Sequence, residues 1–122
     1  MKTLIPVLAV LAVLISLAAC DVEDTYSVRE RMKAFIDDAN AESWNDLKAH
    51  THPDSENYQQ ADADFWETRL SVSVPLDDLT VSGQTATVTG ADDVTFTFYL
   101  TADSSDDNLI IRIERGPDTI FE

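Results

Sequence analysis

Within "HTHPD" stand both histidines of the chain, His50 and His52, with Asp54 two residues further on. Imidazole and carboxylate groups are zinc ligands, and a zinc site takes three or four of them converging on one point. Residues at i and i+2 point to opposite sides of an extended chain and diverge on a helix, so this segment does not close a site by itself. His50, His52 and Asp54 are therefore weak metal candidates, set against solvent-facing or helix-capping roles. Copper and zinc chaperones are richer in cysteine, methionine or histidine, so no metal and no cofactor are expected. Acidic pairs recur at Asp37-Asp38, Asp77-Asp78, Asp92-Asp93 and Asp106-Asp107. They offer oxygen ligands of the kind calcium takes. None has the spacing of a calcium loop, and each falls where an element ends, as a solvated acidic surface does.

No catalytic residue is assigned. A serine nucleophile needs a "GxSxG" elbow and a phosphate loop needs clustered glycines. The three glycines, Gly83, Gly90 and Gly116, fall singly at turns. Five aromatic residues are candidates for a ligand pocket. Trp44, Phe65 and Trp66 either line a small apolar cavity or simply fill the interior. Tyr58 and Tyr99 either donate to a ligand or keep a buried ring and a wet hydroxyl.

Such residues act only where secondary structure holds them, and the pattern changes once along the chain, from helical to extended. "SVRE" is a capping box, Ser27 to Glu30. After it Val28, Met32, Phe35, Ile36 and Ala39 recur on one helical side, with Asn40 as the stop. Ser43 can cap a short second helix carrying Trp44 and Leu47. Pro53 with Asp54 or Ser55 suits the start of a third, with Tyr58, Ala61 and Phe65 on one stripe and Trp66 and Leu70 beside it. "LSVSVPL" then alternates, although Pro75 implies an edge, a bulge or a bend. A strand ends near Val81, Ser82-Gly83 turns, and a strand runs through Ala86 and Val88. In "VTFTFYL", Val94, Phe96, Phe98 and Leu100 face one way and Thr95, Thr97 and Tyr99 the other, which describes a sheet covered on one side. "NLIIRIERG" returns with Leu109, Ile111 and Ile113 opposite Ile110, Arg112 and Glu114, and Ile120 and Phe121 can dock on the core.

The expected class is α+β: N-terminal helices packed on a curved antiparallel sheet of about four strands. No repeat or interdomain linker is visible, and residues 26–122 read as a single domain. The formal net charge is −15, and all 23 acidic residues follow Cys20. Such an excess repels phosphate backbones and argues against nucleic acid as a partner. It argues equally against peripheral attraction to anionic lipid.

Ahead of the domain, Met1 and Lys2 precede "TLIPVLAVLAVLISLAAC", which holds no charged side chain until Asp21. That order is the one of a bacterial secretory signal, and the run is short for a membrane span. "LAAC", Leu17, Ala18, Ala19 and Cys20, resembles the lipobox of bacterial lipoproteins. There the cysteine thiol receives a diacylglyceryl group and signal peptidase II cuts just before it. The resemblance implies a signal peptide over residues 1–19 and a lipidated tether over 20–25. The bilayer is then a partner through acylated Cys20, and the place is the cell envelope, lipid-anchored outside the cytoplasm. Asp21 resembles the residue that retains lipoproteins in the inner membrane of enteric bacteria, and the choice between inner and outer membrane stays open. A lone thiol makes no internal disulfide, which agrees.

The mature chain resembles the nuclear transport factor two-like superfamily, which includes ketosteroid isomerases and SnoaL-like cyclases. The likeness lies in "VRERMKAFIDDANAESWNDLKAH", in "FWETRL" and in "VTFTFYL" followed by "NLIIRIERG". It implies a cone between a long helix and a curved sheet. In the enzymes of that superfamily Asp, His or Tyr works inside the cone, and the strand faces assigned to the core here carry no ionisable group. The first reading is thus a non-catalytic binding or interaction domain for a protein, a peptide or a small apolar ligand, as monomer or homodimer. The alternative is a small enzyme of the isomerase, cyclase or hydrolase kind. A third reading is an interaction domain that displays its open sheet face, Thr85, Thr87, Thr89, Thr95, Thr97, Tyr99 and Thr101.

Overall fold

The computed structural model describes residues 25–122, and Leu17, Ala18, Ala19, Cys20 and Asp21 lie outside the described residues. Among the described residues Ser27 opens the first helix, α1 (Val28–Asn40), as its capping box implies. The Ser27 hydroxyl accepts from the Glu30 amide at 3.1 Å, and the Glu30 carboxylate accepts from the Ser27 amide at 3.0 Å. The pair satisfies amide groups that a first turn leaves free. The Ser27 amide bond is also the main reason the Glu30 carboxyl lies below the usual carboxylate range. Helical spacing buries Val28, Met32, Phe35 and Ala39, with Ile36 half-buried beside them. Asn40 ends the helix and also docks the chain ahead of the first strand. Its side chain donates to the Leu76 carbonyl at 3.0 Å and accepts from the Leu76 amide at 2.7 Å.

The next segment has the extent its pattern implies but a tighter winding, and the one after it starts later than expected. Trp44–His50 is a 3-10 segment with Trp44 and Leu47 inward, and Ser43 makes no side-chain cap bond. Pro53, Asp54 and Ser55 do not start a helix. A 3-10 turn covers Tyr58–Gln60, and the second helix, α2 (Ala63–Leu70), begins only after Asp62, whose carboxylate accepts from the Phe65 amide at 3.0 Å. Tertiary bonds explain the delay. The His52 amide donates to the Ile110 carbonyl at 2.7 Å, and the Ser55 hydroxyl donates to the Ile111 carbonyl at 3.3 Å, which ties this turn to a distant segment of the chain. Beyond α2, residues 71–76 turn instead of forming a strand, with Pro75 in the bend.

Five strands follow in one antiparallel sheet whose spatial order is the chain order: β1 (Asp77–Ser82), β2 (Thr85–Thr89), β3 (Thr95–Ala102), β4 (Asn108–Arg115) and β5 (Asp118–Phe121). The sheet exceeds the expected four by β5. Gly116 supplies the turn at φ +57°, and "DTIF" pairs back on β4, with Ile113 opposite Phe121. β3 behaves as its alternation predicts: Phe96, Phe98 and Leu100 are buried. In β4 strict alternation fails. Tyr99 pairs with Arg112 and Leu100 with Ile110, which leaves Ile111 as the extra residue of a bulge. Ile110 and Ile113 are both fully buried, and Ile111 is half-buried, so Ile110 and not Ile111 belongs to the core.

The architecture is α+β, with the helices packed on one face of an open antiparallel sheet. Phe35 of α1 meets Phe98 edge-on at 5.2 Å between ring centroids and Trp66 of α2 at 5.8 Å. Among the described residues no helix is long and apolar enough to cross a membrane.

Candidate functional site

Where β3 turns into β4, polar groups run in a chain from α1 to the hairpin loop. Arg31 lies three residues after Val28 and four before Phe35, so the helix carries it on the buried side. It is 8% exposed. Its Nη2 donates to both carboxylate oxygens of Asp107 at 2.9 Å, its Nε donates to the Asn108 carbonyl at 2.9 Å, and its Nη1 lies 2.9 Å from His50 Nδ1. A guanidinium only donates, so Nδ1 of His50 is the accepting nitrogen. The other ring nitrogen, Nε2, then carries the proton and donates to Asp38 Oδ2 at 2.7 Å.

The chain of bonds also holds the polypeptide where it enters the domain. The Tyr26 ring lies over the Arg31 guanidinium at 4.3 Å, and the Tyr26 amide donates to Asp107 at 2.9 Å. The Tyr26 carbonyl accepts from the Asn108 amide at 3.2 Å and from the Asn108 side chain at 2.9 Å. Asp38, His50, Arg31 and Asp107 thus form a polar seam joining α1, the 3-10 segment and the hairpin loop. Both nitrogens of His50 are engaged, so neither is free to take a proton from a substrate in this arrangement.

His50 and His52 are each 8% exposed, which corrects the expectation of solvent-facing histidines. They do not share a site. His52 Nδ1 accepts from the Asp54 amide at 3.0 Å, while the Asp54 carboxylate sits 3.8 Å away and is mostly solvated. Among the described residues no three His, Cys, Asp or Glu side chains converge as a metal site. The acidic pairs have local work. Asp38 and Asp107 belong to the seam, and Asp78, Asp93 and Asp106 take positive φ values of 57°, 62° and 62°, a backbone region that aspartate tolerates better than most residues.

The five aromatic candidates are not brought together. Trp66 is fully buried, and its indole N–H donates to the Ala61 carbonyl at 3.1 Å. Phe65 packs on it at 5.0 Å, and Phe121 lies 5.3 Å from Trp66 and 6.3 Å from Phe65. Trp44 is buried as well. These rings fill the space between helices and sheet. Tyr58 is half-buried, with the Lys48 ammonium 4.8 Å from its ring centroid.

Tyr99 lies on the opposite face of the sheet, which separates it from the other four. Its hydroxyl donates to Glu114 at 2.9 Å, and Arg112 donates to the other Glu114 oxygen at 2.9 Å. The Tyr99 bond, then the Arg112 bond, hold the Glu114 carboxyl below the usual carboxylate range. The same Glu114 bond raises the Tyr99 phenol above its ordinary value. Across this face the registers pair Thr85 with Tyr99, Thr87 with Thr97 and Thr89 with Thr95.

Sequence reasoning missed Arg31 and read Asp107 only as half of a solvated acidic pair, whereas it is mostly buried against Arg31. The available signal was the place of Arg31 inside the apolar stripe of α1, since a charge at i+3 from one core residue and i−4 from the next is carried inward with them. No protein-family model, curated protein or solved structure matches the chain.

Proposed function

We propose that the chain is a bacterial envelope lipoprotein whose domain recognises a protein or peptide partner, or a small apolar ligand, without catalysis. In this reading residues 1–19 are removed, Cys20 carries the acyl chains, and residues 20–25 tether the domain outside the cytoplasm. The observation that carries it is "LAAC" closing an apolar run, with "DVED" directly after it. One acyl chain anchors weakly, so the two or three that lipoproteins carry make attachment stable. Two features favour the non-catalytic form. The rings of Phe35, Trp66 and Phe121 occupy the space where a deep pocket would lie, and His50 has both nitrogens bonded. The threonine rows beside Tyr99 supply the recognition face. The long helix laid over a meander is what supports a nuclear transport factor two-like cone. Cys20→Ala tests the address: the variant accumulates as an unprocessed precursor, and the maturation that globomycin blocks disappears. Unchanged processing overturns the reading.

The enzyme reading is favoured by one observation, the 2.7 Å contact of His50 with Asp38, an acid–base pairing. Native mass spectrometry separates a filled cone from recognition at the surface. A small molecule that co-purifies with the mature protein supports a ligand-holding or catalytic cone, whereas an empty monomer or homodimer supports surface recognition.

A further inference from the structure

Resting on the lipoprotein reading, we infer that the domain meets the bilayer with one defined end: the β3–β4 hairpin loop and the start of α1. The polypeptide leaves the domain at Tyr26, which is bonded to Asp107 and Asn108 at that end. Between Cys20 and Tyr26 the chain spans at most about 20 Å even when fully extended. β3, eight residues long, carries the sheet about 25 Å further. At its far end the turns at residues 71–75, 90–94 and 116–117 form one rim, where the Ala91 amide donates to the Ser73 carbonyl at 2.8 Å. The hairpin loop therefore stays within tether range of the headgroups, while the far rim reaches out to about twice that distance.

Charge decides how closely the near end approaches. Asp103 and Asp106 lie in the loop and Glu30 in the first turn of α1, while Asp21, Glu23 and Asp24 stand between anchor and domain in the sequence. Against them this end sets Arg29, with Lys33 one turn further along α1. Anionic headgroups repel such an excess within a Debye length, so the near end stands off an anionic bilayer and comes closer to a zwitterionic one. The domain thus presents the rim of the other three turns to whatever approaches from solution.

The test uses the full mature lipoprotein, purified from membranes and returned to vesicles that carry nitroxide-labelled headgroups. A fluorophore is attached at Ser104→Cys or at Ala91→Cys, both exposed positions, one at each end. The Ser104 probe is quenched at least about twofold more than the Ala91 probe, as the reach of the tether requires. Replacing zwitterionic lipid by phosphatidylglycerol weakens the quenching at Ser104. Equal quenching, stronger quenching at Ala91, or a Ser104 signal that tightens with anionic lipid overturns the inference. The mass of the Cys20 peptide from the same sample separates two failures. An acylated peptide with equal quenching overturns the orientation alone, whereas an unmodified Cys20 overturns the lipoprotein reading and the orientation with it.

Discussion

The aromatic interior and the polar seam hold the same helix to the same sheet by different means. Phe35 touches Phe98 and Trp66 through ring edges, contacts whose strength follows buried area and which tolerate small shifts. Four residues earlier, Arg31 reaches Asp107, Asn108 and His50 through bonds that need each partner in place. Buried ion pairs add little beyond an apolar replacement of the same shape, but losing one partner strands the other. The interior therefore supplies most of the stability, and the seam fixes where α1 sits along the sheet and where the chain enters.

Five substitutions can break or sharpen that contrast. The largest effect falls in the interior, where Phe98→Ala costs about 4 kcal/mol in urea unfolding because a fully buried ring leaves a cavity. Arg31→Met follows at about 3 kcal/mol, since it leaves Asp107 without its charged partner; adding Asp107→Leu then restores much of the loss. If the double variant is no better than the single, the seam stabilises like the interior and the contrast fails. On the open face Thr97→Ala stays within about 0.5 kcal/mol. A Thr97→Ala loss equal to that of Phe98→Ala would mean that the faces of β3 are reversed.

The smallest effect is read by titration. Glu114 has a depressed folded-state pKa, so its contribution is present above the ordinary glutamate value and is lost as pH falls through the folded value. Tyr99→Phe removes the largest cause of that depression. NMR then shows the Glu114 carboxyl moving up toward the ordinary range, and acid unfolding loses the part of its slope due to this residue. Tyr99 behaves in the opposite sense in the parent protein. Its raised phenol contributes below the ordinary tyrosine value and ceases to do so as pH rises through the folded one.

What could be read directly from the sequence was what neighbours in the chain decide. The capping box of α1 and the alternation of β3 are local patterns, and both stand in the structure. The residues from Thr51 to Gln60 could not be read that way, because distant partners fix three of them, His52 and Ser55 on β4 and Asn57 on Glu122, and short turns join the rest. β5 has four residues behind Pro117, too few for a period to show. Of the site, the sequence offered the histidines but not their environment. Arg31 drew no reading from the sequence, and its burial is tolerable because Asp107, 76 positions away, and Asn108 and His50 meet its guanidinium.

The bulge at Ile111 makes the length of β4 part of its meaning. Between Asn108 and Ile113 each side chain takes its face from the count of residues as well as from its own chemistry. Removing Ile111 would leave the composition almost unchanged and would only close the bulge: Ile110 would stay opposite Leu100 and Arg112 opposite Tyr99, so Ile110 would keep its inward face. A residue inserted or lost elsewhere between Asn108 and Ile113, by contrast, turns over the side chains up to the point where the bulge is regained or given up.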